Sequence, residues 1–177
     1  MRGRAVLLTG MVRQPAVAHV HQVSLSAGGV PKYAVPSAKV TANGLTGDRQ
    51  RNRNIHGGPD RAVCLYSIEI IEALRAEGHS IGPGSAGENL TLAGLDWAHL
   101  EPGDRLSLGA DVQLEITSYT APCRLNGQWF KDGKFERMAQ GAHPGWSRLY
   151  ARVLVEGIVH QGDQVRIHHS DGDKEIA

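Results

Sequence analysis

Cys123 is the residue of this chain best placed to do chemistry, because its neighbours predict an exposed loop at the end of a strand. A proline precedes it and a glycine closes the segment, and both residue types favour turns. The adjacent Arg124 would favour the thiolate, the form of cysteine that attacks electrophiles and binds metals. Cys64, by contrast, stands within the apolar run 62–66 and is predicted to be an inert core thiol. We therefore expect Cys123 to be alkylated much faster than Cys64.

A second candidate is a set of cationic side chains before, within and just after a polar loop at 47–59. Arginine and lysine bind phosphate and carboxylate groups, and arginine does so with a two-pronged fork. Glycines next to a histidine would let the backbone approach a ligand closely. The pattern favours a site for a small phosphate-bearing molecule, with a solvated surface as the alternative. The basic members of this set are Lys32, Arg49, Arg51, Arg53, His56 and Arg61, and the glycines beside His56 are Gly57 and Gly58.

Three other patterns suggest different chemistry. The segment 82–87 matches G-x-G-x-x-G, but a predicted helix precedes it and a predicted strand follows it, the reverse of a dinucleotide-binding site. Its backbone amides could still line an anion pocket. His56, Asp60 and Cys123 could supply three zinc ligands if the fold brings them together. Cys123 paired with a histidine would suit a nucleophilic hydrolase, although the sequence has no G-x-S-x-G segment.

The composition is that of one globular domain without a strong charge preference. The chain has 177 residues, a net charge of +1, 41% hydrophobic residues and two cysteines. This balance argues against disorder, against a nucleic-acid platform and against a disulfide scaffold. No apolar run approaches the roughly 20 residues that span a membrane. We therefore expect a cytoplasmic protein that binds neither nucleic acid nor membrane.

Short strands separated by glycine-rich turns must position these side chains. Strands are predicted at 20–26, 38–43, 62–66, 89–92, 112–117 and 152–156. Ser67 is predicted to cap the one clear helix, which Gly78 ends, and a short helix is predicted at 146–150. The expected fold is mainly β with minor α, a closed or partly closed barrel decorated by helical segments. The predicted divisions of the chain are an N-terminal extension (1–17), a single domain (18–169) and a charged tail (170–177).

Six segments in a fixed order make the sequence resemble a known family. They are Gly28–Lys32, Gly44–Gln50, His56–Ser67, Pro83–Thr91, Tyr119–Cys123 and Ala151–Val165. Together they resemble the MOSC domain, the family related to the C-terminal domain of molybdenum cofactor sulfurase, in its small stand-alone bacterial form. The resemblance implies a MOSC-type β-barrel associated with the molybdenum cofactor, a pterin that carries a phosphate and a dithiolene holding molybdenum.

The resemblance also implies roles for single residues. The family's cysteine falls on Cys123, which carries a persulfide in sulfurase-type members and ligates the metal in amidoxime-reducing members. Glu88 has a structural alternative, because a buried carboxylate can satisfy the backbone amides of a turn. The residues predicted to contact the cofactor are Lys32, Arg49, His56, Gly57, Gly58, Arg61, Gly87, Glu88, Asn89 and Arg124.

The predicted function is to bind the molybdenum cofactor and either mediate sulfur transfer to it or use it to reduce N-hydroxylated compounds. Two alternatives stay open: a non-catalytic cofactor carrier, and a cysteine- or histidine-based hydrolase unrelated to molybdenum. No pyridoxal phosphate site is expected, and two cysteines cannot ligate an iron–sulfur cluster. We therefore expect a cysteine desulfurase or an electron-transfer protein as partner. The sequence leaves the oligomeric state open, and its predicted sheet edges are compatible with a homodimer.

Overall fold

A computed structural model describes residues 17–49 and 58–170 of the chain. Most of the predicted N-terminal extension and of the predicted tail lies outside these ranges. Four of the candidate site residues in the polar loop 47–59 also lie outside these ranges: Arg51, Arg53, His56 and Gly57. Within the described ranges, no helix has the length and apolar character needed to cross a bilayer.

The described part of the chain is mainly β with one α-helix, which confirms the predicted class. The strands are β1 (His19–Leu25), β2 (Tyr33–Val35), β3 (Ser37–Thr41), β4 (Gly44–Leu45), β5 (Val63–Ser67), β6 (Leu90–Ala93), β7 (Arg105–Leu108), β8 (Val112–Tyr119), β9 (Leu149–Val155), β10 (Gly157–His160) and β11 (Val165–His168). The α-helix, α1, spans Ile68–Ala76. Short 3-10 helices span Pro59–Arg61, Trp97–His99, Arg124–Trp129, Lys131–Gly133 and Phe135–Met138.

Eight of these strands form one curled sheet in the order β11-β7-β8-β9-β5-β6-β1-β2, and the other three form a small sheet in the order β10-β3-β4. Strands β5 and β6 are parallel because α1 carries the chain across between them. The two ends of the large sheet approach each other at an isolated bridge between His19 and Gln164. Three backbone hydrogen bonds surround this bridge, including one from Val20 N to Asp163 O at 2.8 Å. The sheet therefore curls without closing into a barrel of continuous ladders.

Local sequence patterns explain the best-predicted elements. In β8, Val112, Leu114 and Ile116 are buried while the residues between them are exposed or half-buried, as period-two alternation requires. All five residues of β5 are buried, since its two faces are covered. Helix α1 begins where the Ser67 hydroxyl accepts a hydrogen bond from Ile70 N at 3.2 Å, so the predicted cap is observed.

The short helix predicted at 146–150 does not form. Leu149 and Tyr150 belong to β9 instead, opposite β8 and β5. The residues before them also have their backbone groups committed elsewhere. The Trp97 indole donates to Ser147 O at 2.9 Å, and Arg148 O accepts from Thr120 N at 2.9 Å. Pairing across the sheet outweighs the weak helical pattern of this segment.

Candidate functional site

A cleft opens where the loops around β1, β5, β6, β8 and β9 converge. Its volume is about 110 Å³, which is below the roughly 300–1,000 Å³ of pockets that enclose a drug-sized ligand. A cleft of this size takes in one end of a larger ligand. It is lined by Gly29, Val30, Lys32, Arg49, Arg61, Cys64, Ala86, Gly87, Asn89, Cys123, Leu125, Asn126, Arg148 and Tyr150.

Four of the lining residues are cationic, and no aspartate or glutamate lines the cleft within the described ranges. We call the buried residues of the lining the floor, and they are Lys32, Cys64, Ala86, Asn89, Asn126, Arg148 and Tyr150. We call the exposed and half-buried residues of the lining the rim, which includes Arg49, Arg61, Cys123 and Leu125. The excess of positive charge makes the cleft suited to an anionic ligand.

Arg148 is the central residue of the floor. One terminal nitrogen, Nη1, donates to Ala86 O at 2.6 Å and lies 3.9 Å from the Cys64 Sγ. The other, Nη2, donates to Ala121 O at 3.4 Å. All three partners are uncharged groups, so these contacts leave the positive charge of the guanidinium uncancelled. Its buried Nε has no hydrogen-bond partner among the described residues.

Cys64 belongs to this floor, so the predicted burial is confirmed, while its predicted inertness stays a prediction. Its side chain is buried, with 5% exposure. Burial raises the pKa of the Cys64 thiol, and the positive charge of Arg148 opposes that rise. The apolar run around Cys64 correctly indicated burial, but it carries no information about which face of the strand borders a cleft.

A network of buried polar groups holds one wall of the cleft. The Asn89 side chain accepts from Cys64 N at 3.1 Å and donates to the Asp48 carboxylate at 2.9 Å. The same carboxylate forms an ion pair with Lys32, and both side chains are almost fully buried. Asp48 therefore neutralises Lys32, whereas the hydrogen-bond partners of Arg148 described above are uncharged.

Glu88 lies beneath the lining and ties up the loop that precedes β6. Its Oε1 accepts hydrogen bonds from Gly84 N at 2.6 Å and from the Thr91 hydroxyl at 3.3 Å. Burial raises the pKa of the Glu88 carboxyl, although these hydrogen bonds oppose the rise. Its contacts agree with the structural alternative for this residue. The amides of Gly84, Ser85 and Gly87 all donate within the loop, so they do not form an anion-binding nest.

Cys123 lies at the rim and is partly exposed. It follows β8 in a loop and immediately precedes the 3-10 helix Arg124–Trp129. Both cysteines are free thiols. Two sulfur atoms of different accessibility therefore border one cationic cleft, although they are 59 positions apart in the sequence.

The structure brings together six of the predicted cofactor-contacting or catalytic residues. These are Lys32, Arg49, Arg61, Gly87, Asn89 and Cys123. Gly58, Glu88 and Arg124 do not line the cleft, and Arg124 is exposed. His56 and Gly57 lie outside the described residues. No group of three histidine, cysteine, aspartate or glutamate side chains able to hold a metal occurs within 17–49 and 58–170.

Sequence reasoning missed the lining residues Arg148 and Tyr150. Arg148 shows no local motif, and its partner Ala86 is 62 positions away. Tyr150 is hidden in an apolar strand, where it lies beneath the Arg61 guanidinium at 5.7 Å from the ring centroid. A charged residue immediately before a strongly apolar strand was the one available signal for Arg148.

A family model described as the MOSC domain matches residues 52–166. This match covers more than half of the chain, which therefore belongs to the MOSC domain family.

Individual relatives agree with this assignment. YflK of Bacillus subtilis is 33% identical over 132 residues, which are 74% of this chain and 58% of YflK. A protein named reductase from Gibberella moniliformis is 30% identical over 132 residues, 72% of this chain and 23% of that protein. The chain thus spans less than two thirds of the length of these relatives. The crystal structure of the YUAD protein from Bacillus subtilis shares the fold, with a TM-score of 0.70 at 18% identity over 86% of this chain and 96% of that one.

Proposed function

We propose that this MOSC protein binds the molybdenum cofactor in the cationic cleft and places the metal end of the cofactor near Cys123. The observation that carries the proposal is the combination of four cationic side chains with an accessible cysteine in one cleft. When bound, the cofactor supplies a redox-active metal held by sulfur and a phosphate-bearing pterin. The cleft is too small to enclose such a group, so most of the pterin would extend past the rim.

The residues present fit this cofactor by their chemistry. Arginines bind phosphate and other oxyanions through forked hydrogen bonds, and the buried Arg148 Nε is a donor without a partner among the described residues. A thiolate is a soft ligand of the kind that suits a metal in a sulfur-rich site. In this proposal Arg148 and Arg61 attract the anionic group, and Asn89 holds the wall against which it binds.

Cys123 acts in one of two ways at this position. As a sulfur carrier it would hold a persulfide and pass the outer sulfur to the cofactor, and a cysteine desulfurase would have to supply that sulfur. As a ligand it would hold the metal while N-hydroxylated compounds are reduced, and an electron-transfer protein would have to supply the electrons. The relative named reductase favours this second candidate. A purely non-catalytic carrier would need only the binding half of the proposal.

The decisive experiment is to express the chain in a host that makes the molybdenum cofactor and purify it without oxygen. Molybdenum and the fluorescence of oxidised pterin are then measured per chain. We expect near-stoichiometric pterin in the wild type, loss of molybdenum or of bound sulfur but not of pterin in Cys123→Ser, and unchanged loading in Arg166→Ala. Arg166 is an exposed residue of β11 that does not line the cleft. Wild-type protein with neither pterin nor molybdenum would overturn the proposal and favour the hydrolase.

A further inference from the structure

We propose that Cys64 is a second reactive thiol of the cleft and resolves a persulfide formed on Cys123, releasing its outer sulfur as hydrosulfide. The inference rests on the sulfur-carrier form of the proposed function. It starts from the observation that the two cysteines of the chain, which are far apart in sequence, line the same cleft.

One residue, Arg148, connects Cys64 to the segment that carries Cys123. Its Nη1 lies 3.9 Å from the Cys64 Sγ, and its Nη2 donates to Ala121 O at 3.4 Å. Ala121 precedes Cys123 by two residues. Since a residue spans at most about 3.6 Å of extended chain, the Cys123 Cα lies within roughly 7 Å of the Ala121 Cα.

The segment that carries Cys123 is free of sheet pairing. The last pair of the β8–β9 ladder is Tyr119 with Leu149, and one further backbone bond, Thr120 N to Arg148 O, follows it. Residues 121–123 belong to no helix or strand. A disulfide needs its two Cα atoms within about 7 Å. Cys64 belongs to the paired strand β5. The segment 121–123 is therefore the part that moves to bring the Cα atoms of Cys64 and Cys123 within this distance.

The step balances without an external oxidant. The Cys64 sulfur attacks the inner sulfur of the Cys123 persulfide, and a Cys64–Cys123 disulfide forms as the bond between the inner and outer sulfur breaks. The outer sulfur leaves with the proton of the Cys64 thiol, as hydrosulfide. The Cys64 sulfur is oxidised and the outer sulfur is reduced, while the oxidation state of the Cys123 sulfur does not change. A small-molecule or protein dithiol would then restore the two thiols.

Burial raises the pKa of the Cys64 thiol and so disfavours the free thiolate, the form that attacks. The step therefore needs the Cys64 proton to pass to the departing sulfur as the new sulfur–sulfur bond forms. The guanidinium of Arg148 lies 3.9 Å from the Cys64 Sγ and provides a positive charge beside the sulfur as it attacks. The step involves only the two cysteines and the outer sulfur of the persulfide. It does not use the anionic group of the cofactor, so it can proceed when the cleft holds no pterin.

The test uses the full chain purified from a strain that does not make the pterin, with inorganic polysulfide as the sulfur donor. After the donor is removed, intact mass and released hydrosulfide are followed with time. We expect the wild type to form first a persulfide, which has the mass of the unmodified chain plus one sulfur. It should then convert to the disulfide, which has the mass of the unmodified chain minus two hydrogens, as one hydrosulfide is released. Cys64→Ala should keep the added sulfur and release hydrosulfide on the order of 100-fold more slowly, since it lacks an intramolecular thiol.

Two controls keep the result interpretable. A cooperative urea unfolding transition like that of the wild type shows that Cys64→Ala is folded. If that variant does not fold, peptide mapping of the wild type must find the Cys64–Cys123 disulfide, formed at a rate independent of protein concentration. A wild-type persulfide as stable as that of Cys64→Ala, or a disulfide between two chains, would overturn the inference. A chain that loads pterin but keeps its persulfide refutes only this inference, whereas one that releases hydrosulfide but never loads pterin refutes only cofactor binding.

Discussion

Cys64 and Cys123 border the same cleft from two different kinds of structure. Cys64 belongs to the floor, on a strand paired on both sides, where it contacts the buried Arg148. Cys123 belongs to the rim, in a loop whose next regular element is a short 3-10 helix. The position of the first sulfur is set by the sheet, and that of the second by a segment with far fewer backbone restraints.

The same division separates the charges of the cleft. Arg148 is buried and donates to two carbonyls, so its geometry is part of the fold. Arg49 and Arg61 are exposed at the rim, where water and salt weaken their fields. Changes at the floor should therefore alter stability strongly, whereas changes at the rim should alter ligand binding with little effect on stability.

The largest effect is expected from Gly84→Ala in the loop that supports the floor. Gly84 has a φ of +82°, and an added Cβ would lie 2.2 Å from Lys32 O. The clash is between the new Cβ and a backbone carbonyl oxygen, so either the loop around Gly84 or the backbone at Lys32, just before β2, would have to shift. We expect the free energy of unfolding, measured with urea, to fall by more than about 3 kcal/mol.

Gly82→Ala is the matched control in the same loop. The nearest atom to its added Cβ would be Ser85 Oγ at 3.8 Å, an ordinary contact. Its unfolding free energy should change by less than about 1 kcal/mol. If Gly84→Ala and Gly82→Ala lost similar amounts of unfolding free energy, the loop that supports the floor would be no more rigid at Gly84 than at Gly82. The proposed difference between floor and rim would then be wrong.

A smaller, pH-dependent effect is expected from Glu88→Gln. Since burial raises the pKa of this carboxyl above 4.5, the folded protein holds the proton more tightly than the unfolded chain. The stabilising contribution is therefore complete below the unfolded pKa and is lost as the pH rises through the folded pKa. Glutamine resembles the protonated acid, so the variant should lack this loss and be more stable than the wild type at pH 8, by about 1 kcal/mol or more.

The measurement is the urea unfolding free energy of both proteins from pH 4 to pH 8. Glu72→Gln, an exposed change on α1, controls for the removal of one negative charge. It should leave the slope of stability against pH as in the wild type. If Glu88→Gln kept the wild-type slope, another group of the floor would have to be responsible for it.

The difference between floor and rim also explains how much the sequence could predict. Elements with a strong local pattern were predicted well, such as the alternation in β8 and the Ser67 cap of α1. The loop position of Cys123 also followed from its neighbours, and the structure agrees.

The floor could not be predicted because it depends on contacts between distant segments. Arg148 meets Ala86 and Cys64 only after β5, β6 and β9 have paired, and its own neighbours suggested a helix. Lys32, predicted to contact an anion, lines the cleft and also forms an ion pair with Asp48, sixteen positions away. Neither relation leaves a short-range signal in the sequence.

The smallest effect is expected at the rim, from Arg49→Ala. If the cleft holds the pterin as proposed, this exposed charge acts on the ligand through water, which limits its contribution to about 1 kcal/mol. Pterin retained after gel filtration should fall a few-fold at low salt, and the difference from the wild type should disappear at high salt. Arg166→Ala removes an exposed arginine of β11 outside the cleft and should bind as the wild type at both salt concentrations. A loss in Arg49→Ala that persisted at high salt would make Arg49 a desolvated contact, and it would then belong with Arg148 rather than with the rim.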